Sequence, residues 1–75
     1  MEITLDLLRP GMGATVVRID TKDALRCRLK DFGFVPGTAV CCCYCSPHRD
    51  VSAIGFRGSV LALRRRDLAQ ITGCL

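Results

Sequence analysis

The chain has 75 residues, six of them cysteine, and a formal net charge of +4. That length holds one small domain, residues 1–75, and no second fold. The longest uninterrupted apolar stretch, Ala39 to Cys45, falls far short of the roughly 20 residues that a bilayer-crossing helix requires, which excludes membrane insertion by a helix.

Two Pro-Gly pairs, Pro10-Gly11 and Pro36-Gly37, punctuate the sequence. Proline fixes φ at the first central position of a type II turn and glycine accepts φ > 0 at the second, so each pair is expected to launch a strand. After the first, strict alternation places Thr15, Val17 and Ile19 on one face and Ala14, Val16 and Arg18 on the other. A helix follows, because Leu25, Leu29 and Phe32 recur at i, i+4 and i+7 while Arg26, Arg28, Lys30 and Asp31 fill the other faces. Thr21 or Asp23 can cap its start, and Gly33 can end it in a left-handed turn.

After the second pair, Thr38 to Cys45 reads as the longest strand, with Val40, Cys42 and Tyr44 opposed to Cys41, Cys43 and Cys45. Ser46 to Asp50 is a polar turn, so this strand hairpins back through Val51 to Phe56. Arg57-Gly58-Ser59 turns again into Val60 to Leu63, with Leu61 and Leu63 facing inward. One helical turn over Arg66 to Gln70 and a short strand around Ile71 complete the chain. The reading is therefore mainly β: about five short strands with one inserted α-helix. Closing them into a small barrel removes the exposed edges, with the helix over one open end delivering Leu25, Leu29 and Phe32 to the core.

In order and spacing, Leu8-Arg9-Pro10-Gly11, Val16-Val17-Arg18-Ile19, the run Leu25 to Val40, Pro47 and Asp50, Arg57-Gly58 and Leu61 to Arg65 together resemble the FeoA family over nearly the whole chain. The resemblance implies a Src-homology-3-like small β-barrel. It further implies a cytoplasmic accessory role in ferrous iron transport beside FeoB, the membrane transporter of ferrous iron with its own GTP-binding domain. The same module resembles the C-terminal domain of metal-dependent repressors of the DtxR type. Leu5, Leu7 and Leu8 read as the first strand of the barrel, so no DNA-binding helical domain is expected before it and the transport accessory is the better fit. The family often has Pro-Leu-Gly-Asp-Pro where this chain has Pro47 to Val51, and the Cys41 to Cys45 run replaces residues usually aliphatic or charged.

Met1-Glu2-Ile3-Thr4 carries an acid where a secretory signal would carry Lys or Arg, and the chain reads as cytoplasmic. Thiols stay reduced there, so six cysteines need not mean disulfides. Side chains at i and i+2 on a regular strand stand parallel, with Cα atoms about 6.5–7 Å apart, so Cys41, Cys43 and Cys45 diverge from a common ion unless the strand breaks. Cys42 reads as a small core residue and the other three as free thiols. The sharper alternative has Cys43 or Cys45 join His48 across the turn, with Cys27 or Cys74, to hold a soft or borderline transition metal, or uses the strand as a thiol-based sensor. No cofactor is otherwise implied.

Nothing forms a catalytic set: there is no Ser/His/Asp arrangement, no paired carboxylates in an apolar setting and no phosphate loop, and the chain reads as a non-enzyme. The arginines admit a nucleic-acid partner, but one Tyr and no Trp leave no stacking platform. The candidate partner surface is Arg26, Arg28, Lys30, Phe34, Val35 and Pro36, a basic stripe beside apolar residues suited to protein–protein contact with a FeoB-type transporter. The opposing reading buries Phe34 and Val35 in the core. A homo-oligomer stays open.

Overall fold

Both Pro-Gly turns form as expected in the computed structural model, which describes residues 1–75. Met12 N–H donates to Arg9 O (2.9 Å) and Thr38 N–H to Val35 O (3.0 Å), with Gly11 and Gly37 at φ +92° and +94°. The chain runs β1 (Glu2–Thr4), a 3-10 turn (Leu5–Leu7), β2 (Gly13–Ile19), α1 (Asp23–Asp31), β3 (Ala39–Cys45), β4 (Val51–Phe56), β5 (Ser59–Arg64), α2 (Arg65–Leu68) and β6 (Ile71–Cys74). No helix is long and apolar enough to cross a membrane.

The strands form one antiparallel sheet in the order β1-β6-β2-β3-β4-β5, six strands rather than about five. It curls as a Src-homology-3-like barrel does, but β1 and β5 do not pair with each other, so hydrogen bonding does not close the ring. α2 packs on the 3-10 turn beside that gap. Leu5, Leu7 and Leu8 are not a strand: Leu5 and Leu7 belong to the 3-10 turn, which turns Leu5 inward, Leu8 is buried just after it, and Leu7 is left in solvent.

α1 begins without a side-chain cap: Lys22 holds the capping position, Thr21 is buried before it, and Asp23 is the first helical residue. Its end is the expected left-handed glycine. Gly33 has φ +86°, Phe34 N–H donates to Leu29 O (2.8 Å) and Gly33 N–H to Lys30 O (2.9 Å), the paired bonds of a Schellman end. That motif folds the residue after the glycine back over the last turn. Phe34 is consequently fully buried, in edge-to-face contact with Phe56 (centroids 5.2 Å apart), and Phe32, expected in the core from helical spacing, is 58% exposed. Leu29 is buried as expected and Leu25 only partly.

Two β-bulges break strict alternation. In β2 the pairing with β6 slips between Val16 and Arg18, so Val17 is an extra residue. Val16 and Ile19 are both buried while Val17 and Arg18 both point outward. In β3 the pairing with β4 slips between Cys42 and Tyr44, with Cys43 extra. Val40 and Cys42 are buried, Cys43 and Tyr44 face out, and Cys45 turns toward buried Ser52. Tyr44 therefore does not share the face of Val40 and Cys42, and β3 equals β2 in length at seven residues.

Candidate functional site

The β2 bulge and the Schellman end of α1 act together. The first sets Val17 and Arg18 outward on the sheet, and the second brings Phe34, Val35 and Pro36 alongside them. Between sheet and helix lies a groove of about 610 Å³. Its apolar walls are Val17, Ile19, Phe34, Val35 and Pro36; Arg18, Arg26 and Lys30 stand around it, with the exposed Cys27 thiol among them. Ile19 and Phe34 are buried beneath and Val35 is half-buried, leaving Val17, 38% exposed, and Pro36 as its accessible apolar surface.

The charges are partly satisfied within the chain. Arg18 Nε donates to Asp20 Oδ2 (2.7 Å), and this hydrogen bond and charge raise the guanidinium pKa further above its high ordinary value. Arg26 pairs with Asp23 one turn earlier on α1. These are the two ion pairs of the molecule, so Lys30 meets the groove with no anionic partner. Both pairs are solvent-exposed and add little to stability.

Of the six surface residues expected from sequence, the structure brings Arg26, Lys30, Phe34, Val35 and Pro36 to this groove. Arg28 lies elsewhere, at a smaller cleft of about 270 Å³ with Leu25, Phe32, Leu61 and Asp67. Phe34 serves as floor rather than as an exposed anchor. Val17, Arg18 and Cys27 line the groove as well, outside the surface expected from sequence. The signal for the first two was that neither alternating face of β2 was wholly apolar, which a bulge resolves.

Cys43, Cys45 and His48 are not gathered: no three metal-ligating side chains converge anywhere. His48 is exposed in the hairpin turn, and Ser52 Oγ donates to Cys45 Sγ (3.6 Å). Instead Cys41 and Cys43, both exposed, stand side by side on the outer face of β3 with their sulfurs 3.9 Å apart. All six cysteines are free. The hydrogen bond shared with Cys41 and partial desolvation push the Cys43 thiol pKa up, and desolvation does the same for buried Cys42.

The fold has close counterparts among solved structures. The solution structure of FeoA protein from Chlorobium tepidum is 28% identical and superposes with a TM-score of 0.90 over 97% of this chain and 70% of that one. FeoA from Stenotrophomonas maltophilia complexed with zinc, described as a procaryotic SH3 domain protein, is 24% identical, with a TM-score of 0.81 over 95% of this chain and 88% of that one. A manganese-dependent transcriptional repressor shares the fold at 15% identity, with a TM-score of 0.85; 97% of this chain matches 41% of its length. No curated protein matches the sequence. The family model of the FeoA domain matches residues 3–73, from β1 through β6, and the chain belongs to the FeoA family.

Proposed function

We propose that this chain is a non-catalytic accessory factor of ferrous iron uptake that docks on the cytosolic part of a FeoB-type membrane transporter. Family membership supports the iron-transport setting, and the Stenotrophomonas maltophilia relative is itself described as possibly acting as a bacterial ferrous iron transport activating factor. The observation that carries the docking mode is the groove between β2 and α1, an apolar trough with cationic groups around it and Lys30 unpaired. Such a surface suits an apolar segment flanked by acidic side chains: the trough supplies the desolvated centre and the cations align the partner.

The test is co-purification with the transporter from detergent-solubilised membranes under reducing, anaerobic conditions. Combined Arg26→Glu and Lys30→Glu reversal abolishes capture in this reading, whereas Arg28→Glu, on the smaller cleft, leaves it intact. Retained capture by the Arg26/Lys30 double variant overturns the groove as the docking surface.

A further inference from the structure

We propose that Cys41 and Cys43 form a bidentate thiolate site for a thiophilic d10 cation of the Zn²⁺ and Cd²⁺ class. The inference rests on how β3 is built and is independent of the docking groove.

Three observations carry it. First, the sulfurs lie 3.9 Å apart, far beyond the roughly 2.05 Å of a disulfide bond. A cation bonded to both at about 2.3 Å would subtend an S–M–S angle of about 116°, close to the tetrahedral value, so the bite needs almost no rearrangement. Second, the bulge at Cys43 is the break in β3 that lets two same-face thiols converge.

Third, the neighbouring strand makes room for them. Gly55 of β4 lies opposite Cys41, and a Cβ there would sit 2.8 Å from Cys43 Sγ and 3.3 Å from Cys41 Sγ. Any other residue would push the sulfurs away, whereas glycine leaves the space above β4 to them. Beside Cys41 a shallow bowl of about 510 Å³, running past Gly55 to Ser59 and Val60, leaves access from solvent.

Binding M²⁺ exchanges two S–H bonds for two M–S bonds and releases two protons to solvent, with no change of oxidation state. Thiolate pairs select soft and borderline cations over hard ones. With two protein ligands the ion retains two positions for water or for a ligand from another molecule, the open coordination of an exchangeable site rather than of a closed structural one.

The test titrates the reduced, full-length chain with Cd²⁺ under anaerobic conditions and follows the ultraviolet thiolate-to-cadmium charge-transfer band, then displaces the ion with Zn²⁺. The expected result is one Cd²⁺ per chain, removed by Zn²⁺ competition. Cys41→Ser and Cys43→Ser should each weaken binding by about tenfold or more, and Cys27→Ser, Cys45→Ser and Cys74→Ser should leave it unchanged. Both thiols are exposed, so the serine variants keep the core, which circular dichroism verifies for each. Gly55→Ala, at ordinary φ, should also weaken binding about tenfold in a folded protein, by displacing the Cys43 sulfur. Wild-type Cd²⁺ affinity in Cys41→Ser and Cys43→Ser, or a band that vanishes with Cys45 or Cys74 instead, overturns the proposal.

Discussion

The bulges of β2 and β3 are the same local device with different results, and the difference lies in what stands opposite. Each inserts one residue, Val17 or Cys43, and turns two consecutive side chains outward. On β2 the pair Val17-Arg18 meets α1 and the loop after it, so an extra apolar residue becomes the wall of a groove. On β3 the pair Cys43-Tyr44 stands on the outer face, with side-chain-free Gly55 across from it on β4, so the extra residue is left in solvent next to a second thiol. A bulge decides which way side chains point; the neighbouring element decides what they can do.

The comparison is broken most severely by removing what lies beneath the first site. Phe34→Ala takes away a fully buried ring and its contact with Phe56, and should cost about 3–5 kcal/mol, read by denaturant unfolding. Beside the β3 thiols stands Gly55, which has no side chain to remove. Deleting the bulge residues tests the shared device directly. Without Val17, regular alternation still keeps Val16 and Ile19 inside; without Cys43 it keeps Cys42 inside and Tyr44 outside. Each deletion should cost only on the order of 1–2 kcal/mol, with loss of transporter capture in the first and of Cd²⁺ binding in the second.

Two smaller effects sharpen the contrast. Lys22→Ser gives α1 the side-chain cap it lacks and should raise stability by about 0.5–1 kcal/mol in thermal unfolding, with capture unchanged because Lys22 does not line the groove. Cys41→Ser and Cys43→Ser should shift stability by no more than about 0.5 kcal/mol, since both are exposed.

Much of this was legible from residues alone. The Pro-Gly turns, α1 and its glycine end, the hairpin at Ser46 to Asp50 and the last short strand depend on local chemistry, and local chemistry is what a sequence displays. The groove was half legible. Arg26, Lys30, Val35 and Pro36 follow from adjacency to the helix end, but Arg28 falls at a different cleft because helical positions two apart face different ways. Phe34 and Phe32 exchange roles because the Schellman end overrides helical spacing one residue past the helix. The Cys41–Cys43 pair was legible only in part. Alternation sets both thiols on one face, but their 3.9 Å approach depends on the bulge at Cys43 and on Gly55, which lies on the next strand.

The strand order has a consequence for how the chain folds. β6, four residues long and last in sequence, sits inside the sheet between β1 and β2, which have no pairing with each other. The β2-β3-β4-β5 meander can assemble from neighbours along the chain, but β1 has no strand partner until Ile71 to Cys74 arrive. The loop that closes then spans almost the whole polypeptide, the kind of non-local contact that slows folding. Leu75 N–H donating to Met1 O at 2.9 Å is the outer end of that late closure. Hydrogen exchange should therefore find the amides of β1 and β6 protected later in refolding than those of β3 and β4.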